Sequence, residues 1–302
     1  MRLGFRYTHS VRRLIINADD FAMTAGINRG IEQACRDGLV RSTTLMAAGA
    51  AFDDAVAVAK RNPALDVGCH VVLIGGQPLL PIEQVASLGR ADANRPPVFR
   101  AGIVGFGRAA LTGKIDGREV HAEAAAQIEK LQRAGLALSH VDTHKHTHIF
   151  PAVLRPLLEA ASDCGIGAVR SPFTPLRLLA AQLFRLRQWS RSTQVALLRL
   201  FHGEFARELK RTGMRSPDGS FGIVSTGSLN ARAFAAIAAA VPEGTWELVC
   251  HPGYADAALR QVATRLRESR EAELELLCSA SARASLERNG IEVISYRDFL
   301  AG

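Results

Sequence analysis

Five short apolar runs in this chain each give way to ionisable side chains. Residues 13–18 lead into Asp19 and Asp20, and residues 66–73 contain His70. Residues 136–138 lead into Asp142 and a histidine tract, residues 167–169 into Arg170, and residues 246–250 into His251. Runs of this length, rich in Ile, Leu and Val, suit strands buried on both faces of a parallel sheet. Helical periodicity separates the first of them. Ile27, Ile31 and Ala34 share one face over 26–36, and Val56 and Ala59 share one over 51–61, which stops at Asn62 and Pro63. With a further strand over 40–47, this β-α-β-α-β opening predicts a parallel sheet with helical crossovers. In α/β barrels the active site is built at the C-terminal ends of strands. Each end alone has an ordinary reading: a turn or helix N-cap for the aspartates, a core histidine for His70, a surface arginine for Arg170, a plain turn at 251–253. Their agreement carries the expectation of a site.

The rest of the chain fits one domain over 1–302. Residues 78–117 are rich in Gly, Pro and Arg with weak periodicity, and predict a long loop excursion over one end of the sheet. Helices are expected over 118–134, 151–164, 231–240, 257–267 and 279–289. Strands are expected over 222–224 and 291–294. There is no internal repeat and no flexible linker.

The net charge of +8 is concentrated in one place. Nine basic residues fall between 175 and 215, opposed by Glu204 and Glu208 alone, while the remainder is close to neutral. This excludes a uniformly basic, nucleic-acid-binding surface. Leu176, Leu179, Leu183 and Leu186 recur at helical spacing, Val195, Leu198 and Phe201 continue the apolar content, and Arg177, Arg185, Arg191 and Arg199 lie among them. They predict a basic helical insertion over 175–215 that either packs on the barrel or makes peripheral contact with an anionic membrane surface. No apolar run approaches the length of a membrane span, and residues 1–13 have no apolar core of a signal peptide. The five cysteines are scattered and form no C-x-x-C pair, so reduced thiols and a cytoplasmic setting are expected.

Four of the nine histidines fall within 140–148. In an extended chain, alternation would put Asp142, His144, His146 and His148 on one face. Neutral imidazole is the commonest protein metal ligand, and a nearby carboxylate can ligate or orient it. Two imidazoles and one carboxylate hold an ion and leave positions open for water and substrate. A second carboxylate can then serve as base, a histidine across the site as acid, and an arginine can fix the base and tune its pKa. Adjacent Asp19 and Asp20 point different ways at a strand end, so they divide between such jobs.

Segments 16–21 (Ile-Asn-Ala-Asp-Asp-Phe), 42–44 (Ser-Thr-Thr), 68–73 (Gly-Cys-His-Val-Val-Leu), 140–148 (His-Val-Asp-Thr-His-Lys-His-Thr-His) and 251–253 (His-Pro-Gly) together resemble the YdjC-like carbohydrate deacetylases. That family includes chitooligosaccharide deacetylase and the hopanoid-biosynthesis-associated deacetylases. The resemblance runs from about residue 14 to 299, and departs from the pattern at Ala22, where the family usually has glycine. It implies an α/β fold, a distorted (β/α) barrel related to NodB-type polysaccharide deacetylases. It implies hydrolysis of an N-acetyl group on an amino sugar, free or lipid-linked, with one divalent ion, usually magnesium, on Asp20, His70 and His144. Asp19 matches the base, His251 the acid, and Arg170 the arginine that contacts the base. Asp142, His146 and His148 are expected to face substrate. Ligand chemistry by itself favours zinc or manganese over magnesium, which prefers oxygen. A homo-oligomer is compatible with this reading. The competing classes are a metal-dependent phosphoesterase or other amidohydrolase, which would recruit His146 and His148 to a second ion, and an inactive sugar-lipid binding protein, against which the intact residue set argues.

Overall fold

Strand β1 (Arg12–Phe21) lies at the centre of the sheet, and from Leu14 onward every residue of it is buried. The computed structural model describes residues 11–92, 95–174, 199–223 and 225–302. β1 pairs in parallel with β2 (Ser42–Leu45), with β9 (Gly244–Cys250) and, at its start, with β10 (Ile291–Ile294). Outward from β2 come β3 (Asp66–Val71), β6 (Leu138–Thr143) and β7 (Ala168–Val169), and outward from β9 comes β8 (Ser220–Phe221), all parallel. The sheet curls until its edges approach one another. Val169 N–H donates to Arg215 O at 3.0 Å, and Ser220 N–H donates to Phe173 O at 2.8 Å. The result is an α/β barrel-like fold, a mostly parallel curled sheet wrapped by helices.

Helices α1 (Ala25–Arg36), α2 (Phe52–Arg61), α4 (Gly117–Arg133), α5 (Pro151–Asp163) and α7 (Ala231–Ala240) lie where periodicity predicts them. Thr24 caps α1, its hydroxyl oxygen accepting from Ile27 N–H at 3.3 Å. Pro151 occupies the first turn of α5, where its missing N–H leaves no bond unmade.

Three stretches differ from expectation. The excursion over 78–117 is partly regular, with an antiparallel hairpin of β4 (Gly89–Asp92) and β5 (Arg95–Phe99) and helix α3 (Ile103–Leu111). The strand expected over 222–224 is instead β8, two residues earlier. Gly222 has φ +92°, and a Cβ there would lie 2.1 Å from Val249 O, so the chain turns at this glycine. The helix expected over 257–267 stops early, as α8 (Ala257–Gln261), and a separate α9 (Glu268–Cys278) follows. The sequence hides α9 because its buried face includes Arg270 and Glu273 among the leucines, which erases the apolar stripe. Beyond it lie α10 (Ala280–Arg288) and α11 (Tyr296–Ala301).

Most of the basic insertion, including Arg177, Arg185, Arg187 and Arg191, lies outside the described residues. Its described end is helix α6 (His202–Thr212), whose Arg211 pairs with Glu208 at 2.7 Å and with Glu159 of α5 at 3.0 Å. No helix among the described residues is long and apolar enough to cross a membrane.

Candidate active site

The polar strand ends converge at the C-terminal mouth of the curled sheet. β3 and β6 are in register with His70 opposite Asp142, which sets these two side chains beside each other. Asp142 Oδ1 lies 2.6 Å from His70 Nδ1. That contact turns the other ring nitrogen outward, toward His144 Nδ1 at 3.2 Å and Asp20 Oδ1 at 3.6 Å. His144 Nδ1 is 3.3 Å from the same Asp20 oxygen. Three potential ligands therefore form a compact triangle. Burial by itself would lower the His70 pKa, but Asp142, with Asp19 and Asp20, outweighs burial and raises it to about 9.

Asp19 belongs to a different cluster. Arg170, fully buried just beyond β7, donates to both of its carboxylate oxygens, at 2.6 and 2.8 Å. Asn17 Nδ2 and Thr44 Oγ1 donate to Asp19 Oδ1 at 3.0 and 3.2 Å. Arg170 also pairs with Asp142 and donates through Nε to Glu247 Oε1 at 2.8 Å. Glu247 accepts in turn from Tyr296 Oη at 2.6 Å and Ser220 Oγ at 3.3 Å. Burial would raise the Asp19 pKa, but Arg170, His70 and His251 hold it well below the usual carboxylate range.

Asp20 points the other way, as expected of neighbours at a strand end. Its backbone is left-handed, φ +67°, and two residues on Ala22 has φ +79°. An L-residue there is strained by about 1–2 kcal/mol. Asp20 Oδ2 accepts from Arg270 Nη2 at 2.5 Å, while buried Oδ1 has no hydrogen-bond partner among the described residues. Burial would raise the Asp20 pKa, but Arg270, together with His144 and His251, sets it well below the ordinary value.

His251 closes the site from the far side, its Nε2 4.0 Å from Asp19 Oδ2. The loop after it is gripped by close packing: a Cβ on Gly30 of α1 would sit 2.4 Å from Gly253 Cα. Its backbone N–H donates to Glu273 Oε2 of α9 at 2.6 Å. Burial lowers the His251 pKa to about 4, against the raising effect of Asp19 and Asp20. Burial likewise raises Glu273 to about 7.

The histidine tract does not stay extended. β6 ends at Thr143, and Lys145 and His146 adopt left-handed backbone at φ 57° and 54°. The expected single face is therefore broken after His144. His146 lies in the tight turn, half-buried. His148 is fully buried, with Nδ1 2.7 Å from Thr143 Oγ1, beneath the turn instead of on an open face. Asp142 is also fully buried, spent on His70 and Arg170. His140 is a core residue, stacked on Tyr296 at 3.7 Å between ring centroids.

The residues fit a divalent ion at Asp20, His70 and His144. Their triangle has edges of 3.2, 3.3 and 3.6 Å, close to the separation of donors each about 2.0–2.2 Å from a common ion. The Asp20 oxygen facing it is buried and has no hydrogen-bond partner among the described residues. The charges agree. Four buried carboxylates (Asp19, Asp20, Asp142, Glu247) face two buried guanidiniums (Arg170, Arg270), which with His70 neutral leaves two negative charges when all four are ionised. A second cluster of ligand type, Asp19 with His70 and Asp142, already holds the Arg170 guanidinium.

Sequence reading missed Glu247, Arg270 and Glu273. Glu247 had a visible signal, the one charge inside an apolar run. Arg270 and Glu273 had only their spacing of three, one helical turn.

Residues 13–288 match the family described as YdjC-like protein. A protein of Enterococcus faecalis named for cellobiose-phosphate cleavage shares the fold over 96% of this chain and 99% of its own, with TM-score 0.76 and 24% identity. A lactam utilization protein of Thermus thermophilus does so over 94% and 99%, with TM-score 0.50 and 18% identity. These two likenesses are of fold.

Proposed function

Since this chain belongs to the YdjC-like family, we propose that it is a metal-dependent hydrolase that removes the N-acetyl group from an N-acetylated amino sugar and releases acetate. The observation that carries this reading is the pairing of an open three-ligand triangle with an unligated carboxylate, Asp19, and a histidine, His251, 4.0 Å beyond it. Asp20, His70 and His144 would hold the ion. Two imidazoles with one carboxylate suit zinc or manganese, and family resemblance points to magnesium. When bound, such an ion lowers the pKa of a water and polarises a carbonyl.

The protein's own groups supply the remaining chemistry. Asp142 fixes the His70 ring so that Nε2 faces the triangle. Asp19, kept ionised and aimed by Arg170, accepts the proton of the attacking water. Its low basicity in this setting is offset by a fixed geometry. His251 protonates the departing amine nitrogen. Burial leaves its ring neutral at pH 7 in this state, so the proton it delivers is one it receives during turnover, and Asp19 is the adjacent source.

A two-ion phosphoesterase would need further ligands from His146 and His148. Among the described residues both ligand-type clusters share His70, and neither histidine belongs to one. A saccharide substrate is in keeping with the name of the Enterococcus protein. The deciding experiment is acetate release from N-acetylated chitooligosaccharides and from N-acetylglucosaminyl lipids, with metal-stripped and metal-restored protein. Metal-dependent acetate release supports the reading, and no acetate from either substrate with the metal restored overturns it. We also propose that the 175–215 segment contacts anionic membranes. Salt-sensitive vesicle binding abolished by changing Arg185, Arg187 and Arg191 to Glu would support that, and no binding would overturn it.

A further inference from the structure

Arg270 is among the largest fully buried side chains of the protein. It comes from a helix that no strand-end pattern announces, and it reaches across 250 residues of sequence to Asp20. Its Nε donates to Leu266 O at 3.2 Å, which fixes the guanidinium plane against the start of α9. Its Nη2 then takes Asp20 Oδ2, the oxygen turned away from the His70 and His144 nitrogens. One turn later on the same helix, Glu273 accepts from the backbone N–H of His251. Gly253 N–H also donates to Arg270 O at 3.2 Å. A single turn of α9 thus holds a ligand carboxylate by side chain and the His251 loop by both side chain and backbone.

We propose that Arg270 is a positioning residue that makes Asp20 a one-oxygen ligand. This rests on the assignment of Asp20, His70 and His144 to the ion. A carboxylate at a strained left-handed strand end, with both oxygens free, can rotate away or close on an ion with both oxygens. Holding Oδ2 prevents both. It aims Oδ1 at the two imidazole nitrogens and keeps a coordination position for substrate and water. Partners behind metal ligands are worth roughly 10–100-fold in metal affinity. A guanidinium beside the ion also repels it, so a charge-balancing role alone predicts the opposite sign, tighter binding once the arginine is removed.

The test is calorimetric titration of manganese and of zinc into metal-stripped protein, with folding checked by circular dichroism. Arg270→Met and Arg270→Gln should bind each ion 10–100-fold more weakly than wild type, and Arg270→Lys, which keeps charge and a donor, within a few-fold. Glu273→Gln should bind as wild type, because it touches the His251 loop and not the ligand. Folded Met or Gln variants that bind as tightly as wild type, or tighter, would overturn the proposal. Should Met destabilise the fold, the Lys and Gln pair decides it: equal affinities overturn it, and weaker binding by Gln alone supports it. Asp20→Asn separates the levels, since wild-type affinity in that variant removes the ligand assignment itself and the inference with it.

Discussion

The two adjacent aspartates of β1 are each held by a buried arginine, and the two regions are built to opposite ends. Around Asp19, Arg170 engages both carboxylate oxygens together with Asp142 and Glu247, and the set is backed by Tyr296, Ser220, Asn17 and Thr44. Around Asp20, Arg270 engages one oxygen and leaves the other bare. The first region fixes a carboxylate completely. The second fixes half of one and exposes the rest to two imidazoles. Identical side chains next to each other in sequence thus acquire different chemistry from the number of donors placed around them.

The contrast breaks most visibly at Arg170. Arg170→Met strips the counter-charge from Asp19, Asp142 and Glu247 at once, all inside the protein. Leaving buried charges unpaired costs about 3–5 kcal/mol for a single pair, so a loss at or above that range is expected in urea unfolding. Arg270→Met, with one carboxylate partner, should lose less. Equal losses would mean that the two regions do not differ as described.

At the aspartates themselves the regions separate by readout. Asp20→Asn should lose the ion and turnover together. Asp19→Asn should retain the ion while turnover falls by roughly 10²–10⁴, the usual worth of a general base. Metal content by atomic emission alongside acetate-release kinetics checks both. Loss of the ion from the Asp19 variant would make Asp19 a ligand and erase the division of labour.

How much of this was legible follows the same division. The Arg170 region is assembled from strand ends, and strand ends announce themselves when a short apolar run stops on an ionisable residue, as at Asp19, His70, Asp142, Arg170 and His251. The alternation of strand side chains also correctly separates Asp19 from Asp20. The Arg270 region depends on α9, whose buried charges face a site that the helix alone does not reveal, so its pattern reads as surface. The histidine tract misled for a local reason. Only a few per cent of non-glycine residues adopt a left-handed backbone, and although histidine does so more often than most, nothing in Lys145 points to it. Extended alternation therefore placed His146 and His148 beside His144, where the chain has already turned.

His70 joins the two regions, with Nδ1 toward Asp142 and Nε2 toward Asp20, and this sets a pH prediction for metal-free protein. Its folded pKa of about 9 lies above the ordinary 6.5. The contribution of protonated His70 to stability is therefore complete below pH 6.5 and is lost as pH rises through 9. Glu273, raised from 4.5 to about 7, acts in the same direction at lower pH. His251, lowered from 6.5 to about 4, acts oppositely, its contribution being lost as pH falls toward 4. The buried thiols of Cys69 and Cys250, raised by desolvation, act in the same direction as pH approaches 9, so the His70 effect, a slope of up to about 1.4 kcal/mol per pH unit, is read between pH 7.5 and 8.5 as the difference from a His70 variant. Denaturant unfolding of metal-stripped protein at several pH values should show stability falling in that window, and His70→Gln should flatten the curve. An unchanged slope in the variant would place the titrating group elsewhere.

The smallest expected effect comes from the outer edge of the Arg170 region. Tyr296→Phe removes one hydroxyl, the 2.6 Å donor to Glu247 Oε2. Glu247 keeps Arg170 at 2.8 Å and Ser220 at 3.3 Å, and the Phe ring can keep the stacking on His140. The region is redundant in donors, so the loss should be about 1 kcal/mol, near the net worth of one hydrogen bond, with turnover reduced less than tenfold. The sign of any further effect is also set. Burial already raises the Glu247 pKa, and removing a donor raises it again. A protonated Glu247 no longer balances Arg170, whose full charge then falls on Asp19 and Asp142. Turnover of the Phe variant should therefore suffer more at low pH than at high pH. A pH–rate profile parallel to wild type, with the same modest loss in stability, would confine Tyr296 to packing and detach it from the chain of contacts that ends at Asp19.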